Sequence, residues 1–184
     1  MKSGIAQSKF LADLESQCEE QLQLVISDFQ NMSEAQLLQK PAQGAWSIAE
    51  CFQHLNTYAA FYLSTMSKVL NVAADSNEDL VFRHSLLGAY FIRSMDDSRT
   101  RKKYKAIKKH RPENFTQSHQ VIAEFIQHME SFLDLMHIAR HKRLSKLSVK
   151  TSISPLIKIN MGDAMQFLLT HNLRHINQAR RILL

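Results

Sequence analysis

Across residues 8–29, Phe10, Leu11, Leu14, Cys18, Leu22, Val25, Ile26 and Phe29 recur at steps of three and four. That spacing collects them on one face and predicts an amphipathic helix. In residues 31–45, MSEAQLL suits a helical turn that Lys40-Pro41 then breaks. A second long helix is expected from Ser47. Ser47-Ile48-Ala49-Glu50 is a capping box, in which the hydroxyl accepts an amide hydrogen and Glu50 reaches back to the cap's own N–H. Ile48, Phe52, Leu55, Ala59, Tyr62, Leu63, Met66 and Leu70 carry its inner face to about residue 73. Residues 80–95 predict a shorter helix, with Gly88 as an unfavourable interior residue. A third long helix is expected over 117–140, facing inward through Ile122, Phe125, Ile126, Met129, Phe132, Leu133 and Met136. VKTSISPLIKI then reads as extended, because Pro155 forbids a continuous helix. The last helix is expected to open at Gly162 or Asp163, with Asp163 complementing its dipole.

Four long helices and two long connections, one between the second and third and one between the third and fourth, predict an all-α four-helix bundle. Residues 1–184 are expected to form a single domain. The first of these crossings is long enough to let the second and third helices run parallel, which a tight turn forbids. Only 4 Gly and 3 Pro occur, too few for the turns of a sandwich or barrel, and no Gly-rich phosphate loop is present. Cys18 and Cys51 make neither a disulfide framework nor a zinc cluster and read as reduced thiols of a cytoplasmic protein. No apolar run is long enough to span a bilayer and no signal segment is evident, so no membrane partner is expected. The formal net charge of +6 comes from RTRKKYKAIKKHR, residues 99–111, which holds eight Lys or Arg and no acid. Interleaved only by Tyr104, this run reads as a solvated connection in preference to a nucleic-acid contact.

The 9 histidines sort by position. His84, His110 and His119 fall in or beside connections and His128 on the outer face of the third helix, so all four read as surface residues. His137 and His141 stand at the end of that helix, where the dipole favours a cation. His171 and His175 differ. They lie mid-helix, one turn apart, beside Ala164, Leu168, Ala179 and Ile182, so both border the core. Two adjacent buried imidazoles are hard to satisfy with ordinary side chains, and a shared divalent metal uses one neutral nitrogen from each. Without a third ligand, such a pair reads first as core or surface histidines. His54 is the candidate, yet periodicity puts it about 120° from the centre of its helix's apolar face, a boundary or surface position.

GAWSIAECFQHL, followed far downstream by LLTHNLRHINQARRIL, resembles the DinB/YfiT-like superfamily of metal-binding four-helix proteins. KKYKAIKKHRPENF and SPLIKINMGDAMQFLLTHNLRHINQ are similar to its larger DinB-like branch. The resemblance covers nearly the whole chain. Its most specific part is W-S-x-x-E-x-x-x-H-L combined with a late H-x-x-x-H. It implies an up-down-down-up bundle, often a homodimer, in which His54, His171 and His175 hold a divalent cation, zinc or nickel. It also implies metal-dependent chemistry such as hydrolysis or thiol S-transfer.

Three neutral imidazoles leave a coordination position open, as in catalytic zinc sites, and do not choose strongly among zinc, nickel, copper and iron. With ordinary imidazoles the metal would be released below about pH 6. The catalytic group is unassigned. Glu50 is first a cap and alternatively a base, Tyr58 first a packing residue and alternatively an orienting group, and Gln178 a hydrogen-bonding partner for water at the site. Trp46 reads as a hydrophobic staple, Cys51 as a core residue, and Arg174 and Arg180 as solvated arginines or contacts for an anionic substrate. A metal-dependent enzyme is therefore weighed against a non-catalytic, metal-stabilised helical module, and both against nucleic-acid contact through residues 99–111. An accessible pocket at the open position favours the enzyme, and a fourth protein ligand favours the module.

Overall fold

The computed structural model describes residues 4–76, 80–99, 105–112 and 118–183. Six helices account for most of them: α1 (Gln7–Phe29), α2 (Glu34–Leu38), α3 (Ile48–Val72), α4 (Leu86–Met95), α5 (Ser118–Ala139) and α6 (Met161–Arg180). The periodic segments become α1, α3, α5 and α6. Ser47 caps α3 with both halves of the expected box, and Ser33 with Gln36 builds a second box that turns MSEAQLL into α2. Asn160 caps α6 by accepting from the Asp163 amide at 2.7 Å, which starts that helix one to two residues earlier than the dipole argument suggests. The expected start of the third long helix at Gln117 lies outside the described residues.

The chain is not purely helical. Strands β1 (Ile5–Ala6) and β2 (Val81–Phe82) pair antiparallel, so the segment expected to be helical over 80–95 is helical only from Leu86. VKTSISPLIKI folds into a second antiparallel pair, β3 (Ser148–Lys150) with β4 (Lys158–Asn160), in which Val149 opposes Ile159 and Pro155 sits in the turn. Among the described residues, no helix is long and apolar enough to cross a membrane.

α3 packs on α5 and α6, and α1 packs on the same two helices, enclosing one core. Phe29, Phe52, Phe125, Phe132, Leu14 and Met66 are buried in it, each side chain contributing about 1.5–3 kcal/mol relative to exposure. At the ends, the Lys142 ammonium donates to the Ala73 carbonyl at 2.6 Å, the Gln7 amide donates to the Lys142 carbonyl at 2.8 Å, and Arg180 pairs with Asp28 at 2.8 Å.

α4 lies against α6 through a polar knot. Asp163 is fully buried, and its carboxylate accepts from the Ser85 amide at 2.9 Å and the Ser85 hydroxyl at 2.6 Å, with His84 Nδ1 at 2.6 Å. Asp163 therefore does far more than complement a dipole, and His84, exposed as its position suggests, is nonetheless a partner of that knot. Gly88 belongs to the same contact. A Cβ there would overlap the Asp163 side chain, so a residue that weakens the helix is required by the approach of α4 to α6.

Candidate metal centre

His54 stands in the second turn of α3, and His171 and His175 face it from α6. One ring nitrogen from each lies within 4.8 Å of the others, and the Nε2 atoms of His54 and His171 are 3.3 Å apart. His54 is 2% exposed, which corrects the boundary position given by its periodicity. It is buried because the packing of α3 on α6 and the segment around His110 cover the side of α3 that the main core leaves open.

His110 supplies that cover, and sequence reasoning missed it. It ends a 3-10 turn (Lys108–His110) and is buried, not on the surface. Its carbonyl oxygen lies 2.6 Å from His54 Nδ1, so the nitrogen must donate, and the Nε2 lone pair is left facing the centre. The His110 ring rests against Tyr58 at 4.0 Å, and its Nδ1 donates to the Thr57 hydroxyl at 2.9 Å. That hydroxyl in turn donates to the His54 carbonyl at 2.8 Å. No periodic signal marks a loop histidine that meets a helix 56 residues away.

Gln178 sets the second ring. Its Oε1 is 3.0 Å from His175 Nδ1, so that nitrogen donates and Nε2 is freed. The sequence placed Gln178 near water at the open position; the structure engages it with His175. His171 Nδ1 is buried without a partner. The three nitrogens thus meet with at least two lone pairs directed inward, an arrangement that a cation relieves and that imidazole donors suit.

Burial keeps the rings neutral. Desolvation lowers His54 to about 4 and His175 to about 3, against an ordinary 6.5, and lowers His171 well below that value. The neighbouring rings, and Arg174 beside His171 and His175, push in the same direction. Without metal, the unfolded chain then binds more protons than the folded one between these values and 6.5. Stability is expected to be complete above about pH 6.5 and to fall as the pH drops toward 4. A pH series of melting temperatures in chelator checks the slope, and a flat profile contradicts it.

Aromatic side chains form the walls. Trp46 packs on His54 at 4.8 Å and on His175 at 5.8 Å, so the expected staple is also part of the site. Tyr58 lies 4.3 Å from His171 and 5.0 Å from His54. Phe167 stacks on His171 at 5.8 Å. Glu50 has both oxygens engaged, by the Ser47 amide and by Lys40, each at 2.7 Å, which leaves it a cap. Cys51 is buried and its thiol is pushed up to about 12 by desolvation, so it is an inert core residue. Arg180 turns to Asp28, whereas Arg174 lines the site. His128 is half-buried where the outer face suggested a surface residue, with Nδ1 3.5 Å from the Asn56 side-chain oxygen; His119 is exposed as expected, and His137 and His141 are exposed at the end of α5.

A cleft of about 1560 Å³ opens over the three rings. Among the described residues, no fourth His, Cys, Asp or Glu joins the group. Of the basic run, residues 100–104, including Lys102 and Lys103, lie outside the described residues, while Lys105, Ile107 and Arg111 line the cleft.

A sequence profile of the DinB superfamily matches residues 17–179. Among solved structures, the chain is similar to YfiT from Bacillus subtilis, a probable metal-dependent hydrolase with an unusual four-helix bundle topology. The TM-score is 0.61 at 13% identity, covering 99% of this chain and 89% of that one. A search of curated proteins finds no significant match.

Proposed function

The chain belongs to the DinB superfamily, and from that footing we propose that it is a divalent-metal-dependent enzyme, a hydrolase or thiol S-transferase, with His54, His171 and His175 as metal ligands. The observation that carries this reading is the open cleft above three converging imidazoles with no fourth donor among the described residues. A purely structural site would be closed by a fourth side chain.

When bound, zinc or nickel supplies a Lewis acid that lowers the pKa of a water or thiol and polarises a carbonyl. The protein's own contribution is positional. The His110 carbonyl and Gln178 hold His54 and His175 in the tautomers that present Nε2. Tyr58, Phe167 and Trp46 exclude water from the flanks of the rings and keep the local dielectric low. Proton transfer has no assigned residue, since Glu50 is occupied and the buried Tyr58 hydroxyl is pushed above its ordinary value by desolvation.

Elemental analysis is expected to find about one divalent ion per chain, and thiol conjugates, amides and esters offered to the loaded protein should include a substrate whose turnover stops in chelator and returns with zinc or nickel. Failure to take up either metal would overturn the proposal. Because the ligand nitrogens titrate near 4 and below, metal should stay bound at about pH 5, lower than free imidazoles allow. Gln178→Ala removes the acceptor that orients His175 and should weaken metal binding roughly 10–100-fold in chelator competition, with the fold intact by circular dichroism.

We read the bundle as up-down-down-up, supported by the contacts of Lys142 with Ala73 at the ends of α5 and α3 and of Arg180 with Asp28 at the ends of α6 and α1. A homodimer is proposed on the exposed apolar row of α4, where Leu86 is 94%, Tyr90 63% and Leu87 41% exposed. The cytoplasmic reading rests on two buried free cysteines.

A further inference from the structure

One wall of the cleft carries a pair of hydroxyls that metal binding does not use. Tyr58 follows His54 by one turn of α3, and Tyr62 follows Tyr58 by another. Their rings are nearly parallel, 20° apart with centres separated by 6.4 Å. Ser152, in the β3–β4 hairpin, meets both. Its backbone amide donates to the Tyr62 hydroxyl at 3.4 Å, and its side chain lies beside the two phenols. Tyr58 and Ser152 line the cleft, whereas Tyr62 is 1% exposed and takes no part in the lining.

Bonds within the hairpin fix Ser152 in place. The Thr151 amide donates to the Ile157 carbonyl at 2.9 Å, the Ile157 amide to the Ser154 carbonyl at 3.1 Å, and the Thr151 hydroxyl to the same carbonyl at 3.2 Å. Ser152 is 2% exposed, yet its hydroxyl makes no hydrogen bond. A buried hydroxyl left unbonded costs about 1–3 kcal/mol, so its retention at the wall of a cleft points to a ligand. Desolvation raises both phenols, Tyr62 to about 12, and Ser152 beside them offsets part of that rise. Both therefore keep a hydrogen to donate.

We propose that the cleft binds a neutral carbonyl compound, whose carbonyl oxygen accepts a hydrogen bond from the Tyr58 hydroxyl while the Ser152 hydroxyl donates to the phenolic oxygen and aims it. The inference rests on reading the cleft as the substrate site and narrows its substrate to one with an acyl group. A carbonyl oxygen has lone pairs and no hydrogen, which matches a phenol with a hydrogen to give. The Tyr58 ring lies 4.3 Å from the His171 ring, so a carbonyl held by that hydroxyl is presented beside the three imidazoles. Trp46 and Phe167 line the same cleft and keep water away, which strengthens a single hydrogen bond. Tyr58 is thus a binding residue, and Ser152 is a positioning residue that acts through it.

Two probes of one carbon skeleton test this in metal-free protein, where no ion can draw a carbonyl: 4-phenylbutan-2-one and butylbenzene. The ketone should bind about three- to tenfold more weakly to Tyr58→Phe than to wild type, the cost of one hydrogen bond, with Ser152→Ala between the two. Butylbenzene should bind all three proteins alike. Infrared difference spectra of the carbonyl-labelled ketone should show its stretching band lowered on wild type, less so on Ser152→Ala and least on Tyr58→Phe. A change in packing alone moves affinity but leaves that band in place. Equal ketone affinity in wild type and Tyr58→Phe, a parallel loss for butylbenzene, an unshifted band or no binding of the ketone overturns the proposal, as does a Ser152→Ala protein that matches wild type in both readouts. Should chelator unfold the chain, the zinc-loaded proteins decide, because a band shift that is the same in wild type and Tyr58→Phe then belongs to the ion and the proposal falls. Failure of the metal reading shows instead as absent metal uptake, which the titrations in metal-free protein do not require.

Discussion

Replacing His171 with alanine is expected to strip the chain of its divalent ion and lower its melting temperature by about 8–16 °C. Ligand binding stabilises a fold by about 4 kcal/mol when free ligand is about 1,000-fold above its dissociation constant, and a protein of this size shifts about 2–4 °C per kcal/mol. The three ring centres are nearly equidistant, 5.1 Å for His54–His171, 4.8 Å for His171–His175 and 4.6 Å for His54–His175, and His171 is the ring to remove because its Nδ1 has no hydrogen-bond partner to lose. Losing it leaves two donors on different helices. The exposed His137→Ala is the matched control and should keep both metal and melting point. In chelator the two variants differ only by the cost of the small cavity at residue 171, which separates a metal effect from a packing effect. Retention of metal by His171→Ala contradicts the three-histidine assignment.

Gly88→Ala carries the second large effect, and here local propensity and tertiary structure predict opposite signs. Inside a helix, alanine is better than glycine by about 1 kcal/mol. At this site the added methyl would overlap the buried Asp163 carboxylate, which is already committed to His84 and Ser85. Separating α4 from α6 to make room costs about 1–3 kcal/mol by overpacking and strains bonds to a buried charge. A net fall in melting temperature of several degrees is expected. Because α4 brings Phe91 and Met95 to the cleft, the shape of the cleft above the histidines should change as well. A rise in melting temperature would mean that the knot yields freely and does not fix α4.

These two positions show what periodicity resolves. Helical spacing located α1, α3, α5 and α6, because a residue's face follows from its number along one helix. The Ser47 box was legible for the same reason, since all its atoms lie within four residues. His54 was misplaced by that method: its own helix offers it no apolar face, and α6 and His110 provide its burial. His110 gave no local signal at all, because its role is a backbone carbonyl delivered from a loop. Gly88 looked like a defect until its neighbour from α6 was known. VKTSISPLIKI reads as extended and forms β3 and β4, whereas β1 and β2 give no signal, because a two-residue ladder is held by its partner strand and has too few residues for a pattern.

Sequence alone therefore determined the helical architecture, the three candidate histidines and, through the two separated histidine motifs, the family. Each depends on order along the chain, which short-range backbone geometry translates directly into faces and caps. Tertiary structure alone decided that the three rings meet, which nitrogens they present, that they stay neutral, and that an open cleft lies above them. Those properties depend on distances between segments remote in the chain and on water excluded by their packing.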